Sequence, residues 1–523
     1  MTTKEEYAEL KAERALKILD GPGTFPEKAA QIMAAPPATA SSSELRMLED
    51  SPLADSLAKS LRAKLCSVPG RGWMRYDGKR WIEISAPASV EMVRLEMNDV
   101  AAGLVERIDP ERMKLALKLL STTKVKNVHT LLQGILERDL ADFDAHPWFL
   151  NCGNGVVDLR SATLIPHAPD LLLSKITLND FHPDANSDDW SDALEALPVD
   201  VQTWMQYRIG QAATGFPVPD DILPILQGGG SNGKTTMLSA MVAALGDHAV
   251  MVPEKVLMAS ANDHPTEMMT LQGARLALIE ETPEGRHLPT KRLKDLVGAT
   301  QITARKIREN NVTFAATHTL FLTSNYRPAI AETDHGTWRR LALVTFPFTF
   351  RPDGEPLVSA TDRRGDGRLR HRLIDNKEGQ LEAVLAWIVD GARAFYQDGE
   401  RMYEMPTSVE MDTKAWRAES DQVIAYMTDR LSFEPTSSVL TSDLYEDFTT
   451  WQTARGQAPW GEPLFVSRFD GHGEIARHNL KKVRTTSKTG ISRPGLPEGL
   501  GPNFMPEGKQ RVWQGIRFIP NAT

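Results

Sequence analysis

A glycine-rich run in the middle of the chain has the residue types and spacing that bind a nucleoside triphosphate. It reads Gly-Gly-Gly-Ser-Asn-Gly-Lys-Thr over residues 228–235 and fits the pattern G-x-x-x-x-G-K-[ST]. Glycines let the backbone turn its N–H groups toward phosphates, while the lysine reaches the β- and γ-phosphates and the threonine hydroxyl binds Mg²⁺. The residues predicted to bind ATP are Gly228, Gly230, Ser231, Asn232, Gly233, Lys234, Thr235 and Thr236, with Thr235 also a Mg²⁺ ligand.

Two adjacent carboxylates follow an apolar stretch farther along the chain. Glu280 and Glu281 come directly after the strand-like residues 276–279. Carboxylates at the end of a strand can hold Mg²⁺ through water and orient an attacking water molecule. The plain alternative is a pair of solvated glutamates. Because a phosphate-binding loop precedes them, we interpret Glu280 and Glu281 as metal-binding and catalytic residues.

A third polar group ends another buried run. Asn325 follows the apolar residues 320–322 and precedes a Tyr-Arg-Pro turn. An amide delivered to the edge of a sheet can touch the γ-phosphate or the lytic water, although by itself an Asn before Pro more often marks a turn. We predict a catalytic role for Asn325 because it accompanies the glycine run.

Paired arginines form the fourth candidate. Arg339 and Arg340 lie just ahead of the apolar residues 341–346. Paired arginines are usually solvated. In an oligomeric ATPase, however, one of them can reach the γ-phosphate held by a neighbouring subunit, as an arginine finger.

The elements around these residues alternate between strand and helix. Strand-like runs cover residues 222–226, 275–279, 319–323 and 341–346, and a helix is predicted over 236–245, directly after the glycine run. Alternation of this kind predicts a largely parallel sheet covered by helices. We therefore assign an α/β core to residues 190–350 and a helical extension to residues 351–412, with a surface loop at 362–368 and an amphipathic helix at 381–396.

The regions before and after the core differ from it in their predicted secondary structure. Residues 1–62 are predicted to be a helical, partly mobile arm, and residues 63–189 an α+β region with hairpins at 73–82 and 151–159 and helices at 90–102 and 111–140. Residues 413–523 are predicted to be a small domain with helices at 421–431 and 442–455, a basic helix at 468–482 and a strand at 511–517. Lys and Arg outnumber Asp and Glu ten to four between Arg468 and Arg517.

The composition of the chain bears on its cellular compartment and on its possible partners. The chain has 523 residues, a formal net charge of −9 and two cysteines, Cys66 and Cys152. Two isolated cysteines cannot form a thiolate zinc site, which favours a reducing cytoplasm. The polar N-terminus does not read as a signal peptide, and no run of about 18 apolar residues indicates a membrane span. The acidic net charge argues against a protein coated in nucleic acid but not against a local basic channel.

The order of these motifs resembles the superfamily 3 helicases, and within them the helicase half of phage and plasmid primase-helicases; it is also similar to the poxvirus primase-helicase. The signature lies between the acidic strand and the Asn strand, over residues 291–306. The family has Gly-Gly-Asp there, followed by an Ala-Arg pair that opens a β-hairpin. Here Gly298-Ala299-Thr300 departs at two of three positions, which puts a role for the missing aspartate in doubt but not the hairpin.

The resemblance implies an AAA+ P-loop ATPase core with an N-terminal helical and β region and a C-terminal winged-helix domain. It implies a homo-hexameric ring with ATP between subunits, moving 3′ to 5′ on single-stranded or forked DNA of a phage or mobile element in the cytoplasm of a bacterial host. Glu281 matches the family's acidic position, Asn325 its polar sensor and Arg340 its finger, with Arg339 as runner-up. The implied DNA contacts are Arg305, Lys306 and Arg308 in the channel hairpin and Arg477, Lys481, Lys482 and Arg484 in the winged helix.

Three alternatives stay open. A bifunctional primase-helicase would need carboxylates that hold two metals, but Asp139, Asp142 and Asp144 lack an apolar strand leading into them, so we expect a separate primase or initiator as partner. A P-loop ATPase that remodels protein partners would make DNA incidental. A degenerate regulator without turnover is disfavoured, because Lys234, Glu281, Asn325 and Arg340 are all present.

Overall fold

The computed structural model describes residues 46–104, 110–258, 266–279, 288–305, 311–328, 330, 335–487, 489–494 and 507–519. Its contacts divide the chain into two units. The first holds the residues up to Asp142 except 78–80, and the second holds residues 78–80 and those from Phe143 onward. The boundaries expected at residues 62, 189, 350 and 412 do not coincide with this division and stay predictions. Within the described part of the chain, no helix is long and apolar enough to cross a membrane.

The first unit combines a small antiparallel sheet with helices. Its elements in chain order are α1 (Asp50–Leu61), β1 (Leu65–Val68), β2 (Gly72–Tyr76), β3 (Trp81–Ile84), α2 (Ala86–Leu104), α3 (Pro110–Leu119) and α4 (Thr122–Ile135). The predicted hairpin is confirmed, since Tyr76 pairs with Trp81 around a turn in which Gly78 has a φ of 101°. The helix predicted over 111–140 is instead two helices, because Ser121 is extended.

The core of this unit comes from apolar residues at helical spacing. In α1, Leu53, Leu57 and Leu61 recur every four residues and are buried. They share a cluster with Met97 of α2 and Leu132 of α4. The end of the segment predicted to be a mobile arm is therefore packed, while its residues 1–45 lie outside the described part.

The second unit begins with a hairpin and a helical lead-in to the main sheet. These elements are β4 (Phe149–Cys152), β5 (Gly155–Asp158), β6 (Thr163–Ile165), α5 (Asp188–Leu194) and α6 (Val199–Ala213). The hairpin predicted at 151–159 is confirmed by pairing of Cys152 with Gly155. The fully buried Arg275 donates to the carbonyls of Ala213 (2.6 Å) and Phe149 (2.7 Å), so it fixes the lead-in helix and the hairpin to the sheet.

A five-stranded parallel sheet forms the centre of this unit. Its elements and neighbours are β7 (Leu223–Gln227), α7 (Lys234–Leu245), β8 (Ala249–Val252), α8 (Lys255–Met258), β9 (Leu276–Ile279), α9 (Thr290–Val297), β10 (Gln301–Ala304), β11 (Val312–Ala315), β12 (Thr319–Ser324), α10 (His335–Trp338) and β13 (Leu341–Thr345). The strand order is β13-β7-β12-β9-β8, and all pairs are parallel. The predicted parallel sheet is confirmed; β8 was not predicted.

Helices beyond the sheet complete this core. The elements are β14 (Thr349–Arg351), β15 (Asp362–Arg364), α11 (Leu369–Asp375), α12 (Gln380–Gln397) and α13 (Thr407–Ser420). The amphipathic helix predicted at 381–396 is confirmed as α12. The prediction of a surface loop over 362–368 is wrong in its first part, because β15 pairs with β14 and the Asp362 side chain is buried against Arg351.

Helices α6 and α12 approach each other so closely that only glycine fits at the crossing. A Cβ on Gly391 would lie 2.2 Å from the carbonyl oxygen of Gln206, and one on Gly210 would lie 2.2 Å from the backbone nitrogen of Ala392. Both obstacles are backbone atoms inside helices, which cannot move aside without shifting a whole helix. This contact joins the lead-in helix to the helical extension.

We expect Gly391→Ala to lower the free energy of unfolding by roughly 2–4 kcal/mol, because an overpacked contact outweighs the helix propensity that alanine gains. The matched control is Gly134→Ala in α4, where an added Cβ meets nothing within 4 Å. The control should be neutral or stabilising by about 0.5–1 kcal/mol. Urea unfolding followed by circular dichroism measures both, and equal stability of the two variants would contradict the close contact.

The C-terminal part is a four-stranded sheet with helices against it. Its elements are α14 (Gln422–Arg430), β16 (Leu431–Leu440), α15 (Thr441–Ala454), α16 (Glu462–Asp470), α17 (Gly473–Arg477), β17 (Lys481–Thr485), β18 (Ile491–Ser492) and β19 (Gln510–Phe518), with strand order β17-β19-β16-β18. The helices predicted at 421–431 and 442–455 and the strand at 511–517 are confirmed as α14, α15 and β19.

The basic helix predicted over 468–482 is wrong. Helix α16 ends at Asp470, the short α17 ends at Arg477, and Asn479 then takes a left-handed conformation with φ 52°. The following residues form β17, which pairs with β19. Lys481, Lys482 and Arg484 therefore lie on a strand, because β-branched Val483 and Thr485 favour a strand and β19 supplies a pairing partner.

Candidate nucleotide site

The loop between β7 and α7 has a backbone that depends on its glycines. Gly233 has φ 79° and Ser231 φ 59°, so the chain bends through left-handed conformations before α7 begins at Lys234. A Cβ on Gly233 would lie 2.7 Å from the Cβ of Ala196, and one on Gly228 would collide with the side-chain nitrogen of Asn232. The sequence therefore folds here into a tight concave turn at the start of a helix, which is the shape that holds phosphates.

Lys234 connects this turn to the neighbouring strand. Its side chain is buried, and Nζ donates to the carbonyls of Gly228 (3.2 Å) and Ser324 (2.8 Å) and to Oδ1 of Asn325 (3.2 Å). The structure thus brings Lys234 and Asn325 together, as the sequence predicted for a lysine and a polar group acting on one phosphate. They meet because β12 lies directly beside β7 in the sheet.

The donor groups of the turn fit a triphosphate. The backbone N–H of Lys234 donates to Oδ1 of Asn232 at 3.2 Å, which fixes the Asn232 side chain. Nδ2 of Asn232 is buried without a hydrogen-bond partner among the described residues. A buried unpaired donor is costly unless a ligand accepts from it. This donor, the glycine turn and the Lys234 ammonium are together suited to an anionic ligand.

Two cavities flank the turn. The larger, about 580 Å³, is lined by Lys234, Thr235 and Asn325 and by Arg370 from α11. The smaller, about 300 Å³, lies on the side of Gly233 and Thr236 and is closed by Phe350 and by Gly365–Gly367. The predicted loop residues Gly230 and Asn232 line the larger cavity, and Ser231 lines both. Sequence reasoning missed Phe350, Gly367 and Arg370, because no local pattern connects them to the turn.

The predicted metal ligands are only partly described. Thr235 is exposed to the larger cavity. Glu280 and Glu281 lie outside the described residues, directly after β9, which is two strands from β7 in the sheet. Carboxyl ends of parallel strands meet at one edge, so β9 ends on the same side as β7 and β12. No group of three or more His, Cys, Asp or Glu side chains that could hold a metal occurs among the described residues.

The two arginines after α10 differ sharply in their surroundings. Arg340 is mostly buried; it donates to the carbonyl of Gly336 at 2.8 Å and to the Asp221 carboxylate at 3.2 Å. Arg339 is exposed and has no ion pair with any described residue. An arginine that reaches a neighbouring subunit must be exposed, so this geometry favours Arg339, the runner-up, over Arg340.

The hairpin expected after Thr300 is present. Strands β10 and β11 pair from Gln301–Ala315 to Ala304–Val312. Ile302 and Ala304 are buried on one face, while Thr303 and Arg305 are exposed on the other. The predicted DNA contacts Lys306 and Arg308 lie outside the described residues.

The four basic residues predicted for the C-terminal part divide into two kinds. Arg477 pairs with Glu474 at 3.2 Å and Lys482 with Asp470 at 2.8 Å. Lys481 and Arg484 are exposed and have no ion pair with a described residue. Arg484 lies directly opposite Arg511 of β19, a position that the sequence analysis did not single out. Like charges in a cross-strand pair repel, so these two arginines favour an anion between them.

Comparisons with known proteins agree with this arrangement. A family profile described as D5 N terminal like matches residues 54–206, and a profile of a family of unknown function matches residues 226–340, which contain the glycine turn and both arginines. A protein of African swine fever virus, provisionally named a primase, is 26% identical over 60% of this chain. Proteins of Acanthamoeba polyphaga mimivirus and Frog virus 3, provisionally named helicases, are 22% and 28% identical over 77% and 45% of this chain. Together these matches support a phage and viral primase-helicase family for this chain.

Likeness to the primase-helicase family does not carry the activity of these whole relatives over to this chain. This chain spans 34% of the African swine fever virus protein, 45% of the mimivirus protein and 25% of the frog virus protein. These relatives come from viruses of eukaryotes, so they give no support to the predicted bacterial cytoplasm, which stays a prediction.

The likeness to solved structures is weaker. The apo structure of the NrS-1 C-terminal region has a TM-score of 0.43 and 9% identity, covering 82% of this chain and 86% of that one. A second apo structure of the same region has a TM-score of 0.43 and 8% identity, covering 89% of this chain and all of that one.

Proposed function

We propose that this chain is an ATP-hydrolysing DNA helicase motor that works as a ring during viral or phage replication. The general role, that of a replication protein of the primase-helicase type, is supported by the family profiles and the relatives. The finer part rests on one observation: Lys234 Nζ lies within 3.2 Å of both the start of the glycine turn and Asn325 at the end of the adjacent strand. A triphosphate in the turn would meet the ammonium and the amide at the same end.

Each residue of the site has a distinct part in this mechanism. The backbone of residues 228–233 binds the phosphates, and the Lys234 ammonium offsets charge on the β- and γ-phosphates. Asn325 orients the attacking water or the γ-phosphate. Mg²⁺, held by the Thr235 hydroxyl and by Glu280 and Glu281, would supply charge neutralisation between the phosphates. Glu281 is also the proposed group that orients the water.

Completion of the site by a second subunit is part of the proposal. Arg339 is exposed at the end of the helix that precedes β13, and it would meet the γ-phosphate held by a neighbour in a homo-hexamer. The AAA+ assignment of the core and the winged-helix assignment of the C-terminal part belong to this proposal as well.

DNA contact is proposed at two places. Arg305, Lys306 and Arg308 of the β10–β11 hairpin would line the channel of the ring, where cations from every subunit add up despite the acidic net charge. In the C-terminal part, Lys481 and Arg484 are the proposed phosphate contacts, with Arg511 added by the structure. Arg477 and Lys482, which already have carboxylate partners, are secondary candidates.

DNA dependence of ATP turnover tests the proposal. We expect single-stranded DNA to accelerate phosphate release and the protein to separate the strands of a fork with a 3′ tail faster than one with a 5′ tail. A protein-remodelling ATPase would hydrolyse ATP with no response to DNA. ATP hydrolysis that ignores single-stranded DNA, together with no strand separation, would overturn the helicase proposal while leaving the nucleotide site intact.

Priming is the second candidate, and the name given to the African swine fever virus relative favours it. It would place a nucleotidyl-transfer activity beside the motor. Incorporation of labelled ribonucleotides on a single-stranded template, with ATP turnover measured in the same sample, separates the two activities. Our proposal expects turnover without incorporation and a separate primase or initiator as partner.

A further inference from the structure

Segment 365–370 lies against both cavities of the nucleotide site, although the motifs of the chain do not include it. Gly365, Asp366, Gly367 and Leu369 line the smaller cavity, and the next residue, Arg370, lines the larger one. One short stretch of chain therefore borders both sides of the glycine turn. Such a stretch can touch two ends of one ligand.

Three successive contacts fix this segment to the turn. The backbone N–H of Phe350 donates to the carbonyl of Ser231 at 2.7 Å, so β14 is attached to the turn itself. Strand β15 pairs with β14 in parallel, and the N–H of Gly365 donates to the carbonyl of Arg351 at 2.9 Å. A Cβ on Gly365 would lie 2.7 Å from the Cβ of Phe350, so the backbone sits directly on that side chain.

Charge and hydrogen bonds hold the segment in shape at both ends. Asp362 accepts from Arg351 Nε (2.8 Å) and from the N–H groups of Val358 and Ser359, which lowers the pKa of its carboxyl to about 2. At the other end, Arg372 pairs with Asp366 (2.5 Å) and with Asp189 of α5 (2.7 Å). Leu373 is fully buried in the same core as helix α7. Arg370 therefore stands on a helix anchored beside the turn.

The two cavities differ in the sign of their charged groups. Lys234 and Arg370 bring cations to the larger cavity. Asp192 brings a carboxylate to the smaller one, beside the apolar Phe350 and Leu369, where the other carboxylate, Asp366, is already paired with Arg372. Phosphates are repelled by carboxylates and attracted by the cations, whereas a nucleoside offers ring faces to apolar side chains and N–H and O–H donors to carboxylates. A nucleotide should therefore lie across the turn with its phosphates toward the larger cavity.

We infer that segment 365–370 closes the nucleotide site from within the same subunit, with the nucleoside in the smaller cavity beside Gly367 and the terminal phosphates within reach of Arg370. This inference rests on the proposed function, because it assumes that the glycine turn holds a nucleoside triphosphate. It adds a base and ribose subsite and a second phosphate-binding cation from the same chain.

Two variants separate the two ends of the ligand. Arg370→Ala removes the phosphate contact. Gly367→Phe fills the smaller cavity, and its backbone tolerates the change because Gly367 has no left-handed φ and an added Cβ meets nothing within 4 Å. The matched controls are Arg368→Ala, an exposed arginine that lines neither cavity, and Gly134→Phe, at a glycine of the first unit whose added Cβ also meets nothing within 4 Å.

The full-length chain is titrated with ATP, ADP and AMP against a fluorescent nucleotide in the presence of Mg²⁺. Arg370→Ala should weaken ATP binding by about 10- to 100-fold, since a charge-assisted contact is lost, while leaving AMP binding unchanged. Arg370→Lys should recover part of the loss. Gly367→Phe should weaken ATP, ADP and AMP by similar factors, because all three carry the same nucleoside.

The outcomes distinguish this inference from the proposed function. If Arg370→Ala matches Arg368→Ala with every nucleotide, the phosphate contact is wrong; if Gly367→Phe matches Gly134→Phe, the nucleoside subsite is wrong. Either result could occur while Lys234 remains essential, which would leave the proposed ATPase standing. If the wild-type protein bound no nucleotide, both this inference and the proposed function would be wrong.

Discussion

Lys234→Ala should abolish ATP binding and turnover, with affinity falling by a factor of at least about 100. The ammonium is expected to contact two phosphates, and each charge-assisted contact contributes roughly 1.5–3 kcal/mol. The structure adds a second reason: Nζ bonds to Gly228, Ser324 and Asn325, so the lysine also holds the start of the turn against the end of β12. Both nucleotide titration and phosphate release measure the loss.

A change at this buried position could act through folding alone, so two further variants accompany it. Lys234→Met keeps the length of the side chain and removes only the charge and the donors. Lys255→Ala removes an exposed lysine of α8 that lies in neither cavity. We expect Lys234→Met to lose nucleotide and Lys255→Ala to keep it, with both retaining the wild-type circular dichroism spectrum. Normal ATP hydrolysis by Lys234→Met would remove the basis of the proposed function.

Arg339→Ala should leave nucleotide binding near normal and reduce turnover by about 10³-fold or more, as expected when an arginine finger is removed. Arg340→Ala should behave differently. It removes the partner of Asp221 and the donor to Gly336, and it should lower the free energy of unfolding by roughly 1–3 kcal/mol. Comparing kcat, nucleotide affinity and urea unfolding for the two variants separates a finger from a structural arginine.

Mixing experiments test whether the arginine acts on a neighbouring subunit. Wild-type protein mixed with Arg339→Ala should lose more activity than its share of the mixture predicts, because each defective subunit spoils the site of its neighbour. Activity that falls only in proportion would argue against action in trans. Loss of turnover in Arg340→Ala at unchanged stability, with a normal Arg339→Ala, would restore the assignment that the family resemblance suggested.

The sequence was most informative where one short segment carries both the chemistry and its geometry. Residues 228–235 encode the turn through glycines and place Lys234 at the start of a helix, and apolar runs of three to five residues mark β7, β9, β12 and β13. Asn325 could be predicted because it ends such a run. Its contact with Lys234 follows once β7 and β12 are neighbours in a parallel sheet.

Prediction failed where the outcome depends on residues far apart in the chain. Residues 481–485 carry four basic or polar side chains and no helical stop signal, and they form a strand because β19, about thirty residues later, pairs with them. Arg370 stands beside the glycine turn only because β15 pairs with β14 and Arg372 binds Asp189. The difference between Arg339 and Arg340 likewise depends on Asp221, which lies more than a hundred residues away in the chain.

The connection between the parallel strands β14 and β15 contributes little to the packing of the protein. Residues 352–360 are all exposed. Strand β14 is fixed to the glycine turn by the hydrogen bond from Phe350 to Ser231, and β15 is held by its pairing with β14. Exposed connections of this kind tolerate inserted or attached groups. A dye attached to a cysteine introduced at the exposed Asp353 would lie three residues from Phe350, and since Cys66 and Cys152 are both buried, it would label the protein selectively. This connection is thus a natural position for an optical readout of nucleotide occupancy.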